Sequence, residues 1–298
     1  MKKININVII LSVLLLATSC KEERQFDASG SFEAEEYIIS AEGMGKIEEF
    51  NIEEGQHIQA GAVVGYIDTT QLYLKKKQLE AQIGAVLSRK PDIQVQIASL
   101  EEQISTILKE KERFTKLVKS DAATQKQLDD IENQYKMVKK QLQAQQSQLS
   151  ITSDGVTKES VPLRVQMEQL EDQIQKCIIV NPIHGTVLTR YAKVHETTAN
   201  GKPLYKIADL GKIILRAYIS GDQLPKIRLN QKVKVFTDNG DGTFYETEGI
   251  ITWISDKAEF TPKTIQTKNE RANLVFAIKV SVVNDGKFKI GMYGELNF

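Results

Sequence analysis

Apolar residues follow three successive patterns along this chain. From Phe32 to Asp68 they come in short runs (Tyr37-Ile38-Ile39, Ile47, Phe50, Ile52, Val63-Val64, Ile67) punctuated by Gly43, Gly45, Gly55, Gly61 and Gly65. Such runs predict short strands joined by turns. The period then changes. Leu72, Leu79, Ile83 and Val86, then Ile93, Ile97, Leu100, Ile104 and Ile107, continued by Phe114 and Leu117, are spaced by fours, threes and sevens. After a polar break at Lys119–Thr124 the same spacing returns in Leu128, Ile131, Tyr135, Val138, Leu142 and Leu149, and again in Leu163, Met167, Leu170, Ile174 and Cys177. A sustained 3.5-residue period predicts a coiled-coil seam, and a short polar break predicts two antiparallel arms. At ~1.5 Å per residue, arms of about 50 residues reach roughly 70–75 Å. Pro91 and the stretch Gly155–Pro162 sit at matching heights on the two arms. Proline removes a helical hydrogen bond, so both arms are expected to break there, as a joint between stacked segments or as two unrelated surface loops. Cys177, on the apolar stripe, reads as a buried structural thiol.

The third pattern, after Asp209-Leu210-Gly211, is again strand-like: Ile213–Ile219, Val233–Phe236, Gly249–Ile254, Leu274–Val280 and Tyr293–Leu296. Asn239-Gly240-Asp241-Gly242 and Asn284-Asp285-Gly286 read as hairpin-type turns between them, and several strands at short spacing predict a small barrel.

The first pattern recurs at a fixed offset. Gly45, Gly61 and Ile67 reappear as Gly185, Gly201 and Ile207, each pair 140 positions apart. A repeat in constant register, split by a helical insert, predicts two halves of one β-domain meeting in space, with the hairpin between them.

Composition adds mostly exclusions. Formal charge is zero, with 39 basic and 39 acidic residues, so no basic stripe points to nucleic acid. His57, His184 and His195 are scattered, with no third ligand at metal-site spacing. Neither a Gly-x-Ser-x-Gly nor a Walker loop occurs, and Asp129-Asp130 falls on a helical arm as a solvated face. No catalytic, metal-binding or cofactor-binding residue is expected, and the chain reads as a spacer, not an enzyme.

The N-terminus is a targeting segment. Lys2 and Lys3 precede the apolar run Ile4–Leu16, which ends in Leu16-Ala17-Thr18-Ser19-Cys20. This resembles a bacterial lipobox, with Ala17 where Leu is commonest. The resemblance implies cleavage before Cys20 and lipidation of it; an ordinary secretory signal containing Cys is the alternative. Two acyl chains on one residue anchor a protein stably.

Beyond the signal the chain resembles the HlyD-type membrane fusion proteins, the periplasmic adaptor subunits. The resemblance is carried by Glu54-Gly55 through Gly61 and Ile67-Asp68, by Asn181-Pro182-Ile183-His184-Gly185-Thr186-Val187, and by Gly201–Leu210. Gly249–Ser255 and Lys289-Ile290-Gly291-Met292 complete it. It implies a mainly β fold with a long α-helical hairpin: a lipoyl-like barrel-sandwich hybrid (32–68 and 178–210), a coiled-coil hairpin (69–177) and a C-terminal β-barrel (211–298). These follow a signal peptide (1–20) and a tether (21–31). It further implies an envelope protein that links an inner-membrane transporter to an outer-membrane channel, forms a ring, expected as a hexamer, and uses no cofactor. An ABC-type pump is preferred over a proton-driven one, and the inner membrane as the anchoring membrane. At the hairpin turn, Arg113, Leu117 and Thr124 match the spacing of the Arg, Leu and Ser with which many adaptors dock onto outer-membrane channels. The plainer reading makes Arg113 a solvated charge, Leu117 a seam residue and Thr124 an N-cap. Two rival functions remain: a lipid-anchored coiled-coil scaffold without a transporter, and a lipoyl or biotinyl carrier. The carrier's modified Lys needs a tight β-turn, and Lys75-Lys76-Lys77 opens a helix instead.

Overall fold

The computed structural model describes residues 26–240, 243–260 and 274–298. The signal peptide with Cys20, most of the tether, and Asp241-Gly242 lie outside the described residues.

The repeat builds two sheets. The first half supplies β2 (Glu36–Ser40), β3 (Gly45–Phe50), β4 (His57–Ile58) and β5 (Val63–Ile67); the second supplies β6 (Ile178–Val180), β7 (Gly185–Arg190), β8 (Thr197–Thr198) and β9 (Pro203–Ala208). One sheet runs β2-β9-β7-β4, the other β6-β5-β3-β8. Each sheet thus takes its two central strands from one half and both edges from the other. The registers repeat as the residues do. Ile47 faces Ile67 and Glu49 faces Tyr66; their equivalents Val187 and Ile207, and Thr189 and Lys206, face each other in the same way, with the same irregularity between the pairs. Across the halves, Gly45 pairs Thr198 and Ile58 pairs Gly185. The body therefore has a pseudo-two-fold axis. The loop after β3 turns at Gly55, φ 85°; the equivalent loop turns at His195, φ 71°. A left-handed residue is imposed there by the register even where no glycine is present. The core between the sheets holds Ile47, Ile52, Val64, Ile67, Val187, Leu204, Tyr205 and Ile207.

The repeat breaks symmetry where the hairpin enters. Asp68 occupies the position equivalent to Ala208, and its carboxylate accepts from the Thr70 N–H (2.8 Å) and hydroxyl (2.6 Å). These bonds start helix α1 (Thr70–Leu87) and hold the Asp68 carboxyl below the usual carboxylate range. A break at Ser88–Asp92 follows, then α2 (Ile93–Lys119), with Asp92 as its N-cap. The return arm is one helix, α3 (Gln125–Gln175), of 51 residues.

The interruption expected in both arms occurs in one. Helix α3 runs straight through Gly155 and carries Pro162 inside it. Proline's φ suits a helix, and its missing N–H costs one bond, to the carbonyl four residues back. The neighbouring bonds and the facing arm hold the helix together. The two irregularities do share a height: Arg89, in the break, reaches Glu159 at 2.6 Å. Replacing Pro162 by alanine is expected to restore the lost bond and stabilise the hairpin by about 1–3 kcal/mol. Thermal melting followed by helical circular dichroism measures this; an unchanged or lower midpoint contradicts it.

Cys177 lies past the end of α3, not on the seam. It is buried against Gly43 in the core of the body, and that burial pushes its thiol pKa up.

The remaining strands close a barrel in the order β1-β10-β13-β12-β11-β14. These are β1 (Ala28–Glu33), β10 (Lys212–Ser220), β11 (Lys232–Asp238), β12 (Phe244–Phe260), β13 (Leu274–Val283) and β14 (Tyr293–Asn297). Strand β1 corrects the expected boundaries, because it runs across the expected junction between the tether (21–31) and the lipoyl-like half (32–68) and belongs to neither. It pairs β10 on one side and β14 on the other, so the barrel closes only with a strand from the start of the chain. Phe32 fills the barrel core with Leu215, Val235, Ile251, Val280 and Leu296. Two crossings, at Ala34-Glu35 and Asp209–Gly211, join barrel to body. Asn284 fixes the second crossing, its amide donating to Leu210 O (2.9 Å) and Phe288 O (3.0 Å).

Candidate functional site

The hairpin end is built by two capping motifs back to back. Helix α2 closes on the Leu117 carbonyl, which accepts from Ala122 N–H at 2.9 Å, while Asp121 N–H donates to Val118 O at 3.1 Å. Asp121 takes φ 56°. These are the two bonds of a Schellman closure, with Asp where glycine is usual. Lys116 and Lys119 in the last turn oppose the helix dipole. Two residues beyond the closure, Thr124 caps α3. Its N–H donates to Gln127 Oε1 (2.9 Å), and its hydroxyl oxygen accepts from Gln127 N–H (3.4 Å), a reciprocal capping box. Every residue from Leu117 to Gln127 is thus within four positions of a backbone-fixing bond, which leaves a rigid turn.

The structure brings the three predicted tip residues to this end. Arg113 is exposed; its guanidinium rests on its own helix, 3.2 Å from Glu110 and over the Phe114 ring. Leu117, one turn on and on the same face, is half-buried. Thr124 is exposed and is the N-cap. Just below, Lys111 spans the arms to Glu132 at 3.0 Å and packs on Tyr135.

The carrier alternative finds no turn. Lys76 is held by Glu171 at 2.7 Å on the facing helix, a hydrogen bond that raises its pKa, and Lys77 lies over Tyr73. Two of the three scattered histidines do meet. The Ile58–Gly185 pairing brings the rings of His57 and His184 edge to face, 4.6 Å between centroids. Spacing along the chain could not show this, because the contact runs across the halves. Among the described residues no group of three or more His, Cys, Asp or Glu could hold a metal ion, and no helix is long and apolar enough to cross a membrane. A cleft of about 520 Å³ opens between body and barrel, lined by Glu35, Tyr37, His184, Asp209, Lys212 and Ile214 among others.

No protein-family model matches the chain. It is 25% identical over 282 residues to a UPF0194 membrane protein of Yersinia pseudotuberculosis, covering 85% of this chain and 83% of that one. It is 24% identical over 275 residues to a UPF0194 membrane protein of Citrobacter koseri, covering 85% and 82%. Among solved structures it matches MacA from Actinobacillus actinomycetemcomitans with a TM-score of 0.55 at 20% identity, over 90% of this chain and 76% of that one. It also matches a MacA–MexA chimera carrying the Pseudomonas aeruginosa MexA α-hairpin domain, with a TM-score of 0.50 at 21% identity, over 90% and 78%. Sandwiched body, inserted helical hairpin and closed barrel together are the fold of the membrane fusion proteins, the periplasmic adaptors.

Proposed function

We propose that this chain is a periplasmic adaptor of a tripartite export system, linking an inner-membrane transporter, by preference ABC-type, to an outer-membrane channel. The role is mechanical and non-enzymatic. The observation that supports it most is the rigid, doubly capped turn at the end of a helical strut. A helix of 51 residues measures about 75 Å, a length suited to crossing an envelope gap. At its end Arg113 offers a forked donor, Leu117 an apolar side chain and Thr124 a hydroxyl to a channel.

The other end is the anchor. Phe26 packs against Phe236 and Phe244, with centroids 5.3 and 5.0 Å apart. Asp27 N–H donates to Asn297 Oδ1 at 3.0 Å. Cys20 precedes Phe26 by six residues, so a lipid on Cys20 ties the barrel to within about 20 Å of a membrane, the inner membrane by preference. Self-association into a ring of six copies encloses the conduit.

The test is a photo-crosslinker at Thr124 in intact cells. Capture of an outer-membrane channel, identified by mass, is the expected result, and capture of none contradicts the docking role. Leu117→Asp is expected to lower export about tenfold or more at unchanged protein level, since one charge in an apolar notch costs over 1.4 kcal/mol. Export at the wild-type rate removes Leu117 from the docking surface.

A further inference from the structure

Two of the chain's three histidines meet across the seam between the halves. His57, on the edge strand β4, pairs with Thr186 of the central strand β7. His184 stands two residues before Thr186. Side chains two apart along an extended chain share a face, so His57, His184 and Thr186 gather on one side of the sheet. The two rings lie 4.6 Å apart between centroids. Both histidines are exposed, so core packing does not require them there.

The repeat supplies an internal comparison. On the other sheet the equivalent pairing joins Lys46 to Thr197. It puts Thr197 where His57 stands and Met44 where His184 stands, each 140 positions away. The fold accepts other side chains at both positions. Histidine occurs at both where they touch and at neither in the second copy of the arrangement.

The ring separation is that of two ligands on one cation. A zinc ion holds an imidazole nitrogen at about 2.0–2.1 Å, which puts each ring centroid about 3.2 Å from the ion. Two such rings stand about 4.5 Å apart when their bonds to the ion meet at a right angle, and about 5.2 Å apart at the tetrahedral angle. The observed 4.6 Å falls within that range. His57 is also steadied from behind, with its Nδ1 3.4 Å from the Thr186 hydroxyl oxygen. With Nδ1–H donating to that oxygen, Nε2 carries the lone pair, as in a ligating histidine oriented by its neighbour. Charge favours a cation as well. Glu35 and Asp209 line the adjoining cleft with His184, against the single cationic side chain of Lys212, so the local field is negative on balance.

We propose that His57 and His184 together bind one divalent transition cation of the zinc class, with water in the remaining coordination positions. Neutral imidazole suits Zn2+, Ni2+ and Cu2+. The ion takes one ligand from each half, so the site exists only once the halves have met, and binding favours the folded state. It staples the edge strand β4, which is two residues long, onto the centre of its sheet.

Full-length protein, purified in detergent and carrying no histidine tag, tests this by calorimetric titration with ZnCl2 and by electron paramagnetic resonance with Cu2+. One Zn2+ per chain is the expected result. His57→Ala and His184→Ala are each expected to weaken it about tenfold or more, since two placed ligands act as a chelate. His195→Asn, which changes the third histidine and tolerates its left-handed backbone, is expected to leave binding unchanged. Bound Cu2+ should show hyperfine coupling to two imidazole nitrogens in the wild type and to one in either alanine variant. Both alanine substitutions fall at exposed positions, so the metal-free variants should melt as the wild type does, which separates loss of a ligand from loss of the fold. Absence of Zn2+ binding up to millimolar concentration, full affinity in either alanine variant, or coupling to a single nitrogen in the wild type overturns the site. None of these results bears on docking at the hairpin tip, so the adaptor reading stands or falls separately.

Discussion

Gly30→Val is expected to open the barrel and leave the rest of the molecule folded. A β-carbon at Gly30 would stand 1.9 Å from the Arg216 carbonyl oxygen and 2.5 Å from the Ala217 Cα. Both are backbone atoms of β10, so no side-chain rotation relieves the overlap. The strand must separate from β10, and β1 is the strand that closes the barrel between β10 and β14. Separation also withdraws Phe32 from the core, where it stacks on Phe288 with centroids 4.9 Å apart. A loss of about 4 kcal/mol or more is expected, in the range reserved for backbone overlap and core disruption. The molecule supplies its own reporters. Trp253, the one tryptophan, sits on barrel strand β12, while most helical signal comes from the hairpin. Tryptophan fluorescence should report a barrel transition far below the helical melt in the variant. Coincident transitions at the wild-type midpoint would show that β1 tolerates the side chain.

That strand also shows where reading the sequence stops. Ala-Ser-Gly-Ser-Phe-Glu carries one large apolar residue and two serines around a glycine, a composition shared by loops. Its strand character comes from two neighbours more than 180 residues away in sequence, and its glycine is small because β10 lies against it. Pro162 is the opposite case, where the tertiary setting overrides a local rule. The rule that proline breaks helices prices one lost bond, and a 51-residue helix seated on a facing arm absorbs it. At the tip, the box Thr124-x-x-Gln127 could be read as a cap from residue types. The closure at Asp121 could not, because nothing but the backbone marks that position as left-handed. The repeat was legible for a physical reason: turns that need positive φ place Gly61 and Gly201 at φ 82° and 80°, and such glycines keep their spacing. The meeting of His57 and His184 needed the topology, since only strand order shows which residues of the two halves come together.

The largest expected loss within the body follows from a place where the halves diverge inside the core. In the first half Ala41 and Gly65 occupy positions that in the second half are Asn181 and Tyr205. The backbone bonds at the two sites match: Asn181 N–H donates to Ala62 O at 2.8 Å, as Ala41 N–H does to Lys202 O at 2.9 Å. The side chains do not match. Asn181 is fully buried; its amide donates to Gln59 O at 2.9 Å and to Ile183 O, and its carbonyl oxygen accepts from the Tyr205 hydroxyl at 2.9 Å. Asn181 thereby ties a loop of the first half to the second from inside. Asn181→Ala is expected to cost about 2–4 kcal/mol, since it strands the Ile183 carbonyl and the Tyr205 hydroxyl, each unpaired group costing about 1–3 kcal/mol, and leaves the Gln59 carbonyl with the Ala62 N–H alone. Tyr205→Phe strands only the Asn181 carbonyl oxygen and should cost about 1–2 kcal/mol. The double variant should cost less than the two added together, by about 1 kcal/mol, because the groups share one network. Simple additivity in denaturant unfolding would mean that the two residues act separately. Titration offers a second check. Burial pushes the Tyr205 hydroxyl up to about 12, above the value of about 10 in an unfolded chain. The unfolded state loses that proton first, so this contribution to stability is whole below pH ~10 and falls as pH rises toward ~12. Tyr205→Phe should flatten that alkaline decline, and a decline equally steep in the variant would assign it to other groups.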